Sequence, residues 1–331
     1  MPTVMICPEA QLHKQAPYVE VLQEGGFDIT YPEDPTFTRG HFSENETIEV
    51  LKSCEAVVAG GEVFSELVLQ SLPKLRVIAR SGVGYDKVNV PAATRLGKVL
   101  TITPNGNYDA VAEHAMSLLF AITKNTIANN KTTRDGTWQR FLTRPLRGTT
   151  LGIIGLGRIG RSVATRAGAM GMRLVATELY PDLSFVETHN ISLITIEELL
   201  AQSDYVTVHC PASKETYGMF NKHLFSLMKK GSMFINTARG SLVVETDLIE
   251  ALNSGHLAGA GLDVFETEPV DNHNPLNQLD NVVLSPHVAG EDEQSTIDMG
   301  VEAATCIVNL YRGEWPDEAV VNKELKGNWS W

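Results

Sequence analysis

Two doubly wound α/β units, each built on a parallel sheet, are what this chain of 331 residues predicts. Three observations carry that expectation. Short β-type runs alternate with stretches of helical period along most of the chain. The length exceeds that of an ordinary single domain, so about two domains are expected. At 151–160 the run LGIIGLGRIG sets three glycines directly after a strand and at the start of a helix.

The elements follow in order. Apolar runs at 4–6, 56–59, 76–79 and 99–102 read as strands, with helix-period stretches such as 43–52 and 66–72 between them. After the turn-like PNGN at 104–107 comes a longer helical pattern from 109 to 129. Asp109 is its expected cap, and Ala112, Ala115, Met116, Leu119 and Phe120 form the apolar stripe. Beyond Pro145 and Gly148 a second series begins. Its expected strands lie at 150–154, 173–177, 205–208, 232–236, 258–261 and 281–284, and its helices at 158–169, 196–202 and 245–253. A last helix spans 291–312, where the acidic run 291–293 suits a helix N-terminus.

Composition narrows the function. Asp and Glu number 40 against 27 Lys and Arg, a formal net charge of −13, which argues against a nucleic-acid or anionic-membrane partner. An anionic substrate would need a local cationic site. Cys7, Cys54, Cys210 and Cys306 show neither CxxC nor metal-ligand spacing, so reduced thiols and no metal site are expected. No basic leader precedes the apolar stretch at 2–6, and no apolar run approaches the ~20 residues of a membrane-spanning helix. A soluble, cytoplasmic protein is the expectation.

The glycine run points to chemistry. Gly155, Gly157 and Gly160 fit G-x-G-x-x-G: one makes the turn, one lets a diphosphate approach the backbone, and one lets helix and strand pack closely. The next strand, MRLVATE, ends in Glu178, where a carboxylate would accept from an adenosine ribose. No arginine follows Glu178 before Pro181 to neutralise a 2′-phosphate, so NAD is favoured over NADP. The plainer alternative is a tight turn beside a solvent-facing Glu178.

Three later stretches, INTARGS (235–241), GAGLDVFETEP (259–269) and VVLSPHVAG (282–290), each begin as a strand and end in a functional group: Arg239, Glu268 and His287. In an open parallel sheet, ligands bind outside the carboxyl ends of the strands. Hydride transfer to a ketone needs a general acid for the forming alkoxide and a cation for the substrate carboxylate and carbonyl. His287 suits the first role and Arg239 the second. Glu268 would orient the imidazole and support its protonated form.

The phrases LRGTTLGIIGLGRIG, NTARGSLVVETDLIEAL, GAGLDVFETEP and SPHVAG, in this order, resemble the D-isomer-specific 2-hydroxyacid dehydrogenases, in the phosphoglycerate dehydrogenase-like branch. The resemblance runs from 76 to 313. It implies a Rossmann cofactor domain, 103–290, inserted in a flavodoxin-like substrate domain made of 1–102 and 291–331. It also implies NAD as cofactor, a small 2-hydroxy or 2-keto acid as substrate, and the catalytic set Arg239, Glu268 and His287. Arg158 and Ile159 would lie on the cofactor diphosphate, with Cys210, Pro211 and Thr216 beside the dinucleotide. Thr237 and Ala238 would border the nicotinamide, and Asp263 its carboxamide. The segment RSGVGYD (80–86) resembles the family's substrate loop, placing Gly82, Val83 and Gly84 at the substrate carboxylate. The long helix and the loop at Trp138 would build a homodimer interface.

Two departures from the family pattern matter. Glu178 stands where the family usually has Asp, which keeps the charge. In VAGGEVF (58–64), Ala59 and Gly60 occupy the positions of an Arg-Ser pair that phosphoglycerate dehydrogenases use for the substrate phosphate, and Glu62 follows. Arg80 aligns with a further basic position of those enzymes. Phosphoglycerate oxidation is therefore an alternative, not the preferred reading. A non-catalytic, dinucleotide-sensing relative of the corepressor type is a second alternative. Formate oxidation is disfavoured, because that branch typically pairs its histidine with Gln. His209 reads as a structural residue rather than a second acid, and His114 as a residue of the long helix near a domain hinge.

Overall fold

The computed structural model describes all 331 residues. They fold into two compact units, 1–107 with 290–331, and 108–289. The resemblance had implied breaks at 102/103 and 290/291.

The first unit contains β1 (Thr3–Ile6), α1 (Pro17–Glu24), β2 (Asp28–Thr30), α2 (Glu44–Leu51), β3 (Ala56–Ala59), α3 (Glu66–Ser71), β4 (Val77–Arg80), α4 (Val90–Arg95) and β5 (Val99–Thr101). The strands form a parallel sheet in the order β2-β1-β3-β4-β5, the flavodoxin-like winding. Because side chains alternate along a strand, Val4, Ile6, Ala56, Val58, Val77 and Ala79 face one layer. Met5, Val57, Ala59 and Ile78 face the other. Both faces are buried, which explains the continuous apolar runs. Ser43 starts α2 through a capping box with Glu46.

The second unit opens with α5 (Tyr108–Thr123) and α6 (Thr126–Arg134). There follow β6 (Thr150–Ile154), α7 (Arg158–Ala169), β7 (Arg173–Thr177), α8 (Leu183–Thr188), β8 (Ser192–Leu193), α9 (Ile196–Gln202) and β9 (Tyr205–Val208). The unit closes with α10 (Lys222–Leu227), β10 (Ser232–Asn236), α11 (Glu245–Asn253), β11 (Leu257–Leu262) and β12 (Val282–Leu284). The chain then returns to the first unit for α12 (Glu293–Tyr311). The seven strands pair in parallel in the order β12-β11-β10-β9-β6-β7-β8. The chain thus winds outward from β6 in both directions, as in a Rossmann sheet. One face carries Leu151, Ile153, Leu174 and Ile235 against α5 and α7. The other carries Val206, Val208, Phe234 and Leu262 against α9, α10 and α11.

Two expectations need correction. The single helix from 109 to 129 is two helices, because Asn125 adopts a left-handed φ of 49° that no helix runs through. Asp109 is not its cap: it lies inside the first turn of α5, where it accepts from Ser162 Oγ at 2.6 Å and pairs with Arg166 at 3.1 Å. The last helix begins at Glu293, with Asp292 as its cap in a reciprocal pair with Ser295. No helix is long and apolar enough to cross a membrane.

Candidate active site

The glycine turn is built by three different constraints. Gly155 has φ 91°, and a Cβ there would stand 2.7 Å from the Cys210 nitrogen, so the turn lies hard against the end of β9. At Gly160 a Cβ would collide with the Gly155 carbonyl oxygen, so only glycine lets α7 pack onto the strand. Gly157 differs: a Cβ would meet nothing within 4 Å. The space before it is open, and Gly157, the cap of α7, has no side chain of its own to accept from the first turn, which includes Arg158 and Ile159. An open approach and the positive end of a helix dipole fit a diphosphate.

Glu178 follows β7 and closes one side of this turn. Its Oε2 accepts from the Leu156 N–H at 2.7 Å and its Oε1 from the Tyr180 N–H at 3.0 Å. The carboxylate is therefore fixed against the glycine loop. Past β9, Thr216 folds the next loop by donating to the Pro211 carbonyl and accepting from the Ser213 N–H, both at 2.8 Å. Burial pushes the Cys210 thiol up to about 11, so it stays protonated. Burial lowers His209 to about 3. It is a neutral imidazole whose Nε2 lies 2.9 Å from Thr207 Oγ1, which leaves it unsuited to donate a proton near neutral pH.

β10, β11 and β12 are neighbours in the sheet, so their carboxyl ends lie side by side. At the end of β10, the buried Asn236 braces the turn that carries Thr237, Ala238 and Arg239. Its Oδ1 accepts from the Ala238 N–H at 3.0 Å and its Nδ2 donates to the Arg239 carbonyl at 2.9 Å. Arg239 Nη1 donates to the Ala238 carbonyl at 2.6 Å. After β11, Glu268 bridges two donors: Oε1 accepts from the Phe265 N–H at 3.0 Å, and Oε2 lies 2.7 Å from His287 Nδ1. A carboxylate only accepts, so Nδ1 carries the hydrogen and Nε2 is left to exchange a proton. The imidazole is 46% exposed, which leaves it accessible to a reactant. Asp263 is wholly buried, and its carboxylate accepts from Ser285 Oγ and from the N–H groups of Val288 and Ala289.

On the first unit, the turn after β4 holds the other residues named from the sequence. Arg80 Nε donates to the Gly84 carbonyl at 3.0 Å across Val83. Gly82, at φ 140°, donates its N–H to Thr103 Oγ1 at 2.7 Å, so that group is already committed. Sequence reasoning assigned no role to Asn236 or Ser285. Both stand inside the quoted motifs, one residue before and two before a named site residue, and that adjacency was the available signal.

Residues 116–289 match the profile described as D-isomer specific 2-hydroxyacid dehydrogenase, NAD binding domain. The chain is 36% identical over 290 residues to a glyoxylate reductase of Korarchaeum cryptofilum, covering 86% of this chain and 87% of that protein. It is 38% identical over 274 residues to a D-3-phosphoglycerate dehydrogenase of Archaeoglobus fulgidus, covering 82% of this chain. There it spans only about half of the relative, 52%. Among solved structures, a D-lactate dehydrogenase of Aquifex aeolicus complexed with NAD and lactic acid superposes with a TM-score of 0.82 at 27% identity. That superposition covers 97% of this chain and 99% of the other.

Proposed function

Because this chain belongs to the D-isomer-specific 2-hydroxyacid dehydrogenases, we propose that it interconverts a D-2-hydroxy acid and its 2-keto acid with NAD. The observation that carries the reading is the His287–Glu268 pair, 2.7 Å apart at a strand end, beside the strand end that carries Arg239. When bound, NAD supplies or accepts the hydride. The chain's own residues do the rest. The Arg239 guanidinium holds the substrate carboxylate and draws electron density from the carbonyl. His287 Nε2 gives its proton to the alkoxide oxygen during reduction and takes it back during oxidation. Glu268 keeps Nδ1–H in place and balances the charge of the imidazolium. Val83 and Gly84 are proposed to offer backbone N–H groups to the substrate, with Arg80 bracing their turn.

Small unphosphorylated keto acids are the preferred substrates. Ala59 is buried at the end of β3, and a Cβ at Gly60 would collide with Thr38 Oγ1, so this loop has no room for a phosphate-binding cation. Glu62 is buried beside it and accepts from the Gly60 N–H at 2.6 Å. NADH oxidation with glyoxylate, hydroxypyruvate, pyruvate, phosphohydroxypyruvate and branched keto acids tests the reading. We expect kcat/KM for at least one unphosphorylated acid to exceed that for phosphohydroxypyruvate by about tenfold or more, as one repelled or unpaired charge costs ~1.4 kcal/mol or above. No turnover with any of them would favour the dinucleotide-sensing alternative, and a preference for the phosphorylated acid would favour phosphoglycerate oxidation.

Cofactor choice is proposed to rest on Glu178, whose fixed carboxylate repels a 2′-phosphate. NADH should be preferred to NADPH, and Glu178→Ala should narrow the ratio of their kcat/KM values. Equal kcat/KM for the two cofactors in the native enzyme would contradict this assignment.

A homodimer is also proposed. Ile127 on α6, Trp138 and Leu142 are exposed apolar side chains, at 57%, 67% and 103%, that a second copy would cover. Light scattering reads the mass directly.

A further inference from the structure

We propose that Asp263, Ser285 and His114 form a positioning network that holds the His287 loop in its working shape. The proposal rests on the acid–base role of His287 given above.

The network begins in the sheet register. Leu262 pairs with Leu284, so the next residues, Asp263 and Ser285, emerge side by side from β11 and β12. The Asp263 carbonyl accepts from the His287 N–H at 2.8 Å. Its Oδ1 accepts from the Val288 N–H at 3.0 Å and from Ser285 Oγ at 2.6 Å. Its Oδ2 accepts from the Ala289 N–H at 2.8 Å. One residue thus grips three consecutive backbone N–H groups, and it does so with no exposure to water.

That grip has a specific load. His287 has φ 55°, a left-handed conformation that residues with a side chain rarely adopt and that persists only where the surroundings enforce it. With 287, 288 and 289 all held by Asp263, the loop has one shape, and in that shape Nδ1 meets Glu268. Both carboxylate oxygens accept from this loop.

The third member comes from α5. Ser285 spends its hydroxyl hydrogen on Asp263, so its oxygen is the acceptor for His114 Nε2, 2.8 Å away. The same nitrogen lies 3.5 Å from Asp263 Oδ1. His114 reaches this point because α5 packs closely on β11: one turn further on, Leu118 Cβ would stand 2.8 Å from a Cβ at Gly261. The imidazole thus backs the Ser285–Asp263 bond from outside the loop, without touching His287.

A misplacement of about 1 Å in a reacting group is worth up to ~10²-fold in rate. Ser285→Ala and His114→Ala should therefore lower kcat for keto-acid reduction by about tenfold or more. The NADH Kd, read by fluorescence titration, and the KM of the keto acid should stay within about threefold, and Ser285→Thr, which keeps the hydroxyl, should restore kcat. Melting curves check folding, and if one alanine variant does not fold, the other carries the test, with His114→Gln in reserve. Native-like kcat in Ser285→Ala and His114→Ala would overturn the network. So would a loss of NADH affinity matching the loss of kcat, since the residues would then serve the cofactor site. His287→Gln in the same assay separates the failures. If it is inactive while the network variants are native-like, the network alone is wrong; if it stays active, the acid–base reading fails and the network with it.

Discussion

His287→Gln should lose about 10²–10⁴ in kcat for keto-acid reduction, the usual worth of a positioned proton donor, while still binding NADH. The amide can accept or donate a hydrogen bond but cannot deliver a proton to the alkoxide. The residues proposed for the cofactor diphosphate and ribose lie elsewhere, at the Gly155–Gly160 turn and Glu178, so NADH affinity measured by fluorescence should be native-like. Since residue 287 sits at a left-handed φ, His287→Asn is the companion variant, because asparagine tolerates that backbone better than glutamine. Both should fail alike if the lost proton is the cause. Activity returning in His287→Asn would mean that the loop's shape, not its imidazole, limits the rate.

Arg239→Ala should fail differently. A guanidinium that holds the substrate carboxylate in the ground state and polarises the carbonyl in the transition state contributes to both KM and kcat. Their combined loss, in kcat/KM, should be about 10²–10³, the cost of removing one donor aimed at developing charge. Arg239→Lys keeps the charge without the planar fork and should recover only part of it. An increase in KM at unchanged kcat would confine Arg239 to ground-state binding. Unchanged kcat/KM would remove it from the site.

How much of this was legible in the sequence depends on whether the cause is local. The glycine turn was legible because strand, three glycines and helix follow one another: Gly155 and Gly160 answer contacts at the adjoining strand end and within the turn, and Gly157 faces open space. The strand runs were legible because both faces of each sheet are buried, which makes them continuously apolar. The break between α5 and α6 was missed because the apolar stripe ends gradually, and one left-handed Asn125 decides it. Strands β2 and β8, three and two residues long, and helices α1, α4, α8 and α10 were not singled out. At the candidate site, Arg239, Glu268 and His287 end recognisable strands. What holds them does not show. Asp263 meets residues 22–26 positions later only because β11 and β12 pair in one register, and His114 joins from another element 171 residues away from Ser285. Such partners depend on sheet order, which no window of sequence contains.

The discontinuous first unit sets a schedule for synthesis. Helix α12 supplies Ala303, Ala304, Ile307 and Val308 to the same core as Val4, Ile6 and Tyr18. Between residue 107 and residue 290 the ribosome makes the whole of the other unit. At about 5–20 residues per second, that interval lasts on the order of 10–40 s. Throughout it, the nascent amino-terminal segment carries a sheet face whose cover has not yet been translated. The inserted unit, contiguous in sequence, meets no such delay and has all its own strands in hand as soon as β12 clears the exit tunnel.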